Sequence, residues 1–241
     1  MKKDTLLSNI IENLGDWAFD DNVADVFPDM LTRSIPGYDA VMMIIGLLTA
    51  RFATKNSNLY DLGCSLGSAT LAMQRALPIE MCQIIAVDNS QAMIARFNAA
   101  IANSELTTPI TIQCADICDI PIENASIVIL NFTLQFLPPE KKQGILDKIY
   151  QGLNPGGIVL LSEKLSFKAN KMHDLLTELH VDFKKANQYS ELEIHQKRRM
   201  LENVMRTDTL EVHQRRLGKA GFKDITTGFQ CFNFASLIAI K

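Results

Sequence analysis

An acid and two glycines follow one another at a strand-like segment early in the chain. Residues 59–62 are apolar except for Asp61, and Gly63 and Gly67 come directly after them. An apolar run that ends in a glycine turn is typical of a buried parallel strand leading into a helix. Glycine allows a ligand to lie against the backbone, and the free N–H groups that open the next helix favour polar ligands. A turn that needs glycine only for its geometry is equally consistent with this pattern.

A second acid favours the ligand-binding interpretation. Residues 84–87 are apolar, and Asp88 ends this run. Nucleoside-binding folds place an acceptor for ribose hydroxyl groups about twenty residues after the glycine turn, which is where Asp88 lies. We therefore expect Asp88 to bind a ribose. The three-glycine pattern of dinucleotide-binding proteins is absent, because Cys64 and Ser65 occupy the middle of the turn.

Two later strands also end in polar residues. An alternating pattern predicts a strand over residues 110–114, which Asp116 follows, and an apolar pattern predicts a central strand over residues 126–131, which ends in Asn131. Because parallel strands place their carboxyl ends at one edge of a sheet, we expect both polar side chains at the same ligand. An acid in this position also caps turns, which is the main alternative for Asp116.

Strand patterns alternate with helix patterns along the chain, which predicts an α/β fold. The remaining predicted elements are helices over residues 39–53, 69–76, 90–103, 139–152 and 210–220, and strands over 158–162, 223–228 and 232–240. We expect one domain over residues 1–241, with a doubly wound, mostly parallel seven-stranded sheet whose last strand is antiparallel. A chain of 241 residues is too short for two comfortable cores.

Two segments lie outside this alternation. Residues 1–37 hold acids around Trp17, Phe19 and Phe27, and predict a short helix and an irregular arm. The arm either folds over a ligand as a lid or packs on the domain. Residues 164–209 predict a helical insert. Thirteen Lys and Arg residues against eight Asp and Glu occur within residues 164–223, which usually indicates a solvated helical surface and less often an anion site.

Composition excludes several classes of protein. A net charge of −3 gives no reason to expect direct nucleic-acid binding. Five cysteines, an odd number, suit a reducing compartment, and Cys114 and Cys118 are interpreted as packing residues because no second pair completes a metal site. The first residues lack the apolar segment of a signal peptide, and the apolar run over residues 40–50 is too short to span a bilayer. We expect a cytoplasmic protein without a metal or a membrane contact.

The whole chain resembles the carboxy-S-adenosylmethionine synthase family, within the class I S-adenosylmethionine-dependent methyltransferases and their Rossmann-like fold. The generic cofactor motif is Tyr-Asp-Leu-Gly-Cys-Ser-Leu-Gly at residues 60–67, with Asp-Asn-Ser at residues 88–90. A further matching motif lies at residues 130–137, and the more specific motifs lie at residues 148–157, 189–194, 200–205 and 229–234. The motif at 148–157 ends in Leu-Asn-Pro-Gly-Gly before a predicted strand.

This resemblance implies an enzyme that converts S-adenosylmethionine and prephenate to carboxy-S-adenosylmethionine and phenylpyruvate. The product would pass to a tRNA carboxymethyltransferase that forms uridine-5-oxyacetic acid at the wobble position. The enzyme would be a homodimer, and the helical insert over residues 164–209 would make substrate and dimer contacts. In the methyltransferase pattern, Asp61 and the glycine turn hold the amino-acid end of the cofactor, and Asp116 holds the adenine amino group.

The resemblance also assigns the individual contacts. The implied cofactor contacts are Tyr38, Gly63, Cys64, Ser65, Asp88, Asn89, Asp116, Ile117, Asn131 and Arg198. Arg198 would hold the new carboxylate beside the sulfur, from its own chain or from the neighbouring one, because a guanidinium binds a carboxylate at two points. Arg199 is not given this role, since adjacent residues on a helix point about 100° apart.

Two other functions remain open at this stage. A conventional methyltransferase acting on a small molecule or directly on tRNA would use the same cofactor residues. The sequence does not predict a DNA amino-methyltransferase, because the Asn/Asp-Pro-Pro-aromatic motif of those enzymes is absent after residue 130. The Pro-Cys nucleophile of cytosine methyltransferases is also absent. A non-catalytic cofactor sensor is the third interpretation.

Overall fold

The computed structural model describes residues 2–12, 14–77, 82–102, 108–168 and 171–241. Its strands are β1 (Asn58–Leu62), β2 (Gln83–Asp88), β3 (Ile110–Cys114), β4 (Ala125–Asn131), β5 (Leu153–Lys164), β6 (Asp224–Cys231) and β7 (Phe234–Ile240). Its α-helices are α1 (Asp21–Ser34), α2 (Tyr38–Phe52), α3 (Ser68–Ala76), α4 (Gln91–Ile101), α5 (Pro139–Gly152), α6 (Lys171–Ala186), α7 (Glu191–Glu202) and α8 (Leu210–Ala220). A short 3₁₀ turn covers Leu134–Phe136.

The seven strands form one sheet in the order β3-β2-β1-β4-β5-β7-β6. Neighbouring strands from β3 to β5 are parallel, whereas β7 runs antiparallel to both β5 and β6. The predicted doubly wound sheet with an antiparallel last strand is therefore confirmed. The strand order reverses between β1 and β4, and ligands of such sheets bind at the carboxyl ends of the strands beside this point.

Strand β4 shows why the centre of the sheet is rigid. Its residues 125–130 are all buried, and they alternate between two hydrophobic cores. Val128 and Leu130 face the core beneath α5 and α8, whereas Ile127 and Ile129 face the core beneath α2 and α3. Burying each such side chain stabilises the fold by about 1.5–3 kcal/mol. The polar ends of the strands therefore project from a fixed platform.

The N-terminal segment is more regular than predicted. Helix α1 has 14 residues and begins at a cap, because the Asp20 side chain accepts a hydrogen bond from the Val23 backbone. Val23, Val26, Phe27 and Met30 are buried at helical spacing. Within the described ranges, no single helix has the length and hydropathy to cross a bilayer, and α1 with α2 meets that measure only as a pair bent by 97°.

The predicted insert consists of two helices, α6 and α7. Helix α7 begins with a capping box, in which the Ser190 hydroxyl accepts from the Glu193 backbone and the Glu193 carboxylate accepts from the Ser190 backbone. Strand β5 begins at Leu153, five residues before its predicted start at residue 158. The predicted end of α4 at Asn103 lies outside the described residues.

Gly67 determines how β1 passes into α3. Its φ angle is +84°, and a Cβ atom added there would lie 2.2 Å from the ring of Phe97. The ring is fully buried in α4, so it has no free space into which to move. Only glycine satisfies both the backbone angle and the contact.

We predict that Gly67→Ala lowers the free energy of unfolding by about 2–4 kcal/mol, from left-handed strain and overpacking together. Gly144→Ala is the matched control, because Gly144 is exposed in α5 and has no atom near its missing Cβ. This control should be neutral or stabilising by up to about 1 kcal/mol. Urea denaturation measures both variants, and equal midpoints for the two would contradict the assigned role of Gly67.

Candidate functional site

The carboxyl ends of the central strands open into one cavity of about 240 Å³. The sheet side of the cavity is formed by the ends of β1, β2 and β4 and by the loop after β3. Helices α1 and α2, the segment before α1, and the insert helices α6 and α7 form the other sides. The cavity therefore lies at the reversal of strand order, where this sheet topology places ligands.

Nine of the ten contacts expected from the sequence meet on the wall of this cavity. They are Tyr38, Gly63, Cys64, Ser65, Asp88, Asn89, Asp116, Ile117 and Asn131. The tenth, Arg198, lies outside the lining and is exposed on α7. The structure thus brings together residues that are up to 93 positions apart in the chain, from Tyr38 to Asn131.

The turn after β1 is tied to the end of β2. The backbone N–H groups of Gly63 and Cys64 both donate to the carbonyl oxygen of Val87, at 2.8 and 3.0 Å. The carboxylate of Asp88 accepts from the backbone N–H groups of Ser65 at 2.9 Å and Ser90 at 2.8 Å. Burial raises the pKa of Asp88, and these hydrogen bonds oppose that rise. The turn and the acid therefore form a single rigid corner.

Asp61 supplies a second acid to the same corner. Its Oδ2 atom accepts a hydrogen bond from the Thr70 hydroxyl at 2.6 Å. Its Oδ1 atom is buried and has no hydrogen-bond partner among the described residues, although Asp61 lines the cavity. Burial raises its pKa to about 6, against the opposing hydrogen bonds from Thr70. A cationic group in the cavity would satisfy the free oxygen and restore the charge of the carboxylate.

The loops after β3 and β4 complete the sheet side of the cavity. The carboxylate of Asp116 accepts from the Cys118 backbone at 2.9 Å and pairs with Lys141 at 3.4 Å, and both interactions lower its pKa. Asp116 therefore caps a turn and lines the cavity at the same time. After β4, the Oδ1 atom of Asn131 is buried without a partner among the described residues, and Phe132 has a φ angle of +60°. Strained residues of this kind concentrate at binding sites.

Aromatic residues of the N-terminal segment cover the cavity. Trp17, Phe19 and Phe27 all line it, and Phe19 packs edge-on against Phe136 at 5.2 Å between ring centroids. Tyr38 begins α2 beneath them, and burial raises its pKa to about 12. These rings are suited to excluding water from a bound ligand. The expectation that this segment lies over the site agrees with its position, whereas movement as a lid stays a prediction.

A basic side, which sequence reasoning did not find, faces the acidic corner. Lys164 at the end of β5, Lys184 on α6 and Lys197 on α7 all line the cavity. Burial lowers the pKa of Lys164 to about 8, of Lys184 to about 7 and of Lys197 to about 8. The sequence signal was the excess of Lys and Arg in the insert, which did not distinguish cavity lysines from surface lysines.

The cavity is therefore equipped for binding more than for covalent catalysis. Burial and the nearby carboxylates of Asp61 and Asp88 raise the pKa of the Cys64 thiol far above its ordinary value, so this thiol is a poor nucleophile. No group of three or more His, Cys, Asp and Glu side chains suited to a metal occurs among the residues that the structure describes. The interpretation of Cys114 as a packing residue is wrong, because its side chain is exposed, whereas Cys118 is half-buried.

Known proteins similar to this chain agree with such a site. A methyltransferase domain profile matches residues 59–157. A protein from Photorhabdus laumondii, named carboxy-S-adenosyl-L-methionine synthase, is 56% identical over 240 residues, which cover 100% of this chain and 95% of that protein. A protein of the same name from Salmonella paratyphi C is 58% identical over 239 residues, which cover 99% and 97% of the two chains.

Solved structures share the fold at low sequence identity. A crystal structure described as a putative S-adenosyl-L-methionine-dependent methyltransferase from Methanococcus maripaludis has a TM-score of 0.62 and 22% identity, and the match covers 96% of both chains. Human N-acetylserotonin methyltransferase, solved with S-adenosylmethionine, has a TM-score of 0.62 and 19% identity, with 92% of this chain and 55% of the human chain covered. These likenesses establish the fold alone.

Asp61 generates a prediction about the ligand-free protein. Folding raises the pKa of the Asp61 carboxyl from 3.8 to about 6, so the folded protein favours its protonated form. The resulting contribution to the free energy of unfolding is fully present below pH 4 and is lost as the pH rises through 6. Asp61→Asn removes this loss and keeps an acceptor for Thr70. We expect the variant to be more stable than the unaltered protein by about 1–3 kcal/mol at pH 7.5.

Urea unfolding between pH 4 and pH 7.5 measures this difference. Asp224→Asn is the control, because Asp224 is exposed at the start of β6 and its replacement should change stability by less than about 0.5 kcal/mol. If the free energy of unfolding depends on pH in the same way in the unaltered protein and in Asp61→Asn, then burial does not destabilise the charged form of Asp61.

Proposed function

Because the chain belongs to the carboxy-S-adenosyl-L-methionine synthase family, we propose that it makes carboxy-S-adenosylmethionine from S-adenosylmethionine with prephenate as the second substrate. The family establishes a transferase that acts on S-adenosylmethionine and carboxylates it. The observation that carries the proposal is the polarity of the cavity, where an acidic corner faces a basic side. A cationic cofactor suits the first, and an acidic co-substrate suits the second.

The proposed cofactor contacts follow the expectations from the sequence. Asp88 accepts from the ribose hydroxyls, Asp116 and the backbone of Ile117 bind the adenine, and the free oxygen of Asp61 accepts from the amino-acid ammonium group. Tyr38, Asn89, Asn131 and the turn Gly63-Cys64-Ser65 complete the contacts. All of these residues line the same cavity, which supports their joint assignment.

The reaction balances without a metal or an external oxidant. Prephenate loses its ring carboxylate as carbon dioxide and its hydroxyl as hydroxide, and the ring becomes aromatic in phenylpyruvate. A methyl C–H bond of the sulfonium breaks, the proton joins the departing hydroxide to form water, and the resulting ylide carbon forms a bond with carbon dioxide. The negative charge of the new carboxylate balances the positive charge of the sulfonium, so the two groups together carry no net charge.

This chemistry requires that water be kept from the ylide. The aromatic residues Trp17, Phe19 and Phe136 support that requirement, because they line the cavity and Phe19 packs edge-on against both of the others. The departing hydroxide serves as the base, so no protein side chain has to remove the methyl proton. The buried, high-pKa thiol of Cys64 is consistent with a wall that takes no covalent part.

Arg198 is proposed to reach the new carboxylate from the neighbouring subunit of a homodimer. Its side chain is exposed and does not line the cavity of its own chain, so it is available to a second copy of the chain. The arm beside α7 also exposes apolar surface: Ile10 is 78% exposed, and the backbone of Ile11 donates to Gln196 of α7. A second copy of the chain packed on α7 would cover this surface.

The product is proposed to serve a separate tRNA carboxymethyltransferase in the cytoplasm. The net charge of −3 gives this chain no strong attraction for tRNA itself. All five cysteines are free, which suits a reducing compartment. We therefore propose that this enzyme contributes only its small product to the wobble-uridine modification and does not contact the tRNA.

Isotope-labelled substrates test the reaction. With S-adenosylmethionine carrying a trideuterated methyl group and prephenate carrying ¹³C in its ring carboxylate, we expect a product with two deuterium atoms and the ¹³C label by mass spectrometry. Equimolar unlabelled phenylpyruvate should accompany it. A reaction without prephenate is the control. S-adenosylhomocysteine with a methylated acceptor would instead identify a conventional methyltransferase, and binding without any product would identify a sensor.

Arg198→Met should reduce formation of the carboxylated product by at least about tenfold, because a bidentate ion pair to the carboxylate is lost. Arg199→Met is the matched control, since Arg199 is exposed on the same helix and points elsewhere. Steady-state turnover of both variants is measured at saturating substrates. Full activity of Arg198→Met would remove this residue from the mechanism.

Mixed dimers test which subunit supplies the arginine. We expect Arg198→Met and Asp88→Ala each to be impaired alone. In a mixed dimer, the Arg198→Met chain keeps an intact cofactor corner, and its Asp88→Ala partner supplies an intact arginine to that site. Random mixing should restore about a quarter of the unaltered activity. The absence of any restoration in verified mixed dimers would place Arg198 in the cavity of its own subunit.

A further inference from the structure

Two lysine side chains reach the cavity without an acidic partner. Neither the ammonium group of Lys164 nor that of Lys184 has a carboxylate or a hydrogen-bonding partner among the described residues. Lys197 differs, because its ammonium lies 3.7 Å from the Asp4 carboxylate and 3.4 Å from the Ser34 hydroxyl. Unpaired cations inside a protein are costly, so a cavity that retains two of them is suited to an anion.

The other charged groups of this side cannot neutralise the pair. Arg198 and Lys197 on α7 are cationic and repel Lys184, as does Lys164. His180 on α6 is neutral, because burial lowers its pKa to about 3, and its Nε2 atom is 2.9 Å from the carbonyl oxygen of Ser34. The carboxylates of the cavity, Asp61, Asp88 and Asp116, belong to the sheet side and contribute nothing to the shifts of the two lysines.

Apolar rings lie beside the Lys164 ammonium group. The Lys164 ammonium is 5.9 Å from the centroid of Phe234, and Phe132 packs edge-on against Phe234 at 6.0 Å. The His180 ring also packs edge-on against Phe234, with 4.9 Å between ring centroids. This combination of rings and cations matches a compact apolar ring that carries a carboxylate.

We propose that Lys164 and Lys184 form a carboxylate subsite that holds the pyruvyl side chain of the acidic co-substrate, an inference that rests on the proposed function. Prephenate has two carboxylates, and only the one on its ring leaves as carbon dioxide. An ion pair to the departing carboxylate would stabilise the ground state and slow its loss, whereas an ion pair to the retained carboxylate positions the molecule without this penalty. The lysines therefore act on binding and orientation.

Phenylpyruvate isolates this subsite, since it keeps the pyruvyl carboxylate and lacks the other one. Its affinity is measured by calorimetry on protein saturated with S-adenosylhomocysteine, so that no turnover is needed. We expect Lys164→Met and Lys184→Met each to weaken phenylpyruvate binding by about tenfold or more, the effect of losing one charge-assisted hydrogen bond. Affinity for S-adenosylhomocysteine should change less than about twofold in both variants.

Lys185→Met is the matched control. Lys185 is the next residue on α6, is exposed, and pairs with Glu191 at 2.6 Å away from the cavity. It should bind phenylpyruvate like the unaltered protein, and thermal unfolding of all variants verifies that they fold. Retained phenylpyruvate affinity in the Lys164→Met and Lys184→Met double variant would overturn the subsite.

The pH dependence separates an anion subsite from a base. Lys184 has a pKa lowered to about 7 and Lys164 to about 8, so both lose their charge within an accessible pH range. The kcat/KM for prephenate should fall as the pH rises above about 7, and Lys184→Arg should move this fall to higher pH because arginine stays charged. A rise in kcat/KM with pH would instead show that a neutral lysine acts as a base and would overturn the proposal.

These tests fail separately from those of the proposed function. If the unaltered protein forms no carboxylated product from prephenate, the co-substrate is wrong whatever the lysines bind. If it forms the product and both lysine variants keep their KM for prephenate, the reaction stands and the subsite is wrong. Loss of kcat alone, with an unchanged KM and unchanged phenylpyruvate affinity, would also contradict a binding role for the two lysines.

Discussion

Separation of charge within one cavity is the constraint on which this structure depends. Asp61 and Asp88 are buried on the sheet side, while Lys164 and Lys184 face the cavity from the side of β5 and α6. The opposite charges do not pair across the cavity, and the Oδ1 atom of Asp61 and the ammonium groups of Lys164 and Lys184 have no hydrogen-bond partner among the described residues. Burial moves the pKa of each of these groups toward its neutral form. An arrangement of this kind is unfavourable in an empty protein and becomes favourable when oppositely charged ligands fill it.

The fold produces this separation through the order in which its elements reach the cavity. The acids end β1 and β2, which lie on one side of the reversal of strand order, whereas Lys164 ends β5 on the other side. Lys184 comes from the insert, which follows β5 in the chain and packs near it. A methyl donor alone needs only the acidic half of such a cavity. Under the proposed function, the basic half would bind the acidic co-substrate from which the new carboxylate comes.

The sequence predicts the acidic half well and the basic half poorly, for a physical reason. Asp88 and Asn131 end apolar strands, and parallel strands bring such ends together without further information. Lys184 and Lys185 are adjacent and chemically identical, so only the packing of α6 decides that one lines the cavity and the other pairs with Glu191 at the surface. The sequence predicts only a short helix in the N-terminal segment, because the acidic residues of α1 interrupt the pattern of its buried apolar side chains. Tertiary contacts thus determine what local patterns leave open.

Charge separation also explains how two ligands would assist one another. A cofactor ammonium and sulfonium near Asp61 would lower the cost of its ionisation, and a carboxylate near Lys164 and Lys184 would lower the cost of theirs. With both proposed ligands bound, the positive sulfonium and the negative co-substrate would also attract each other across a cavity of about 240 Å³ that aromatic rings line. The unpaired groups that disfavour the empty site would therefore match the charges of the two proposed ligands, a cationic cofactor at Asp61 and an acidic co-substrate at Lys164 and Lys184.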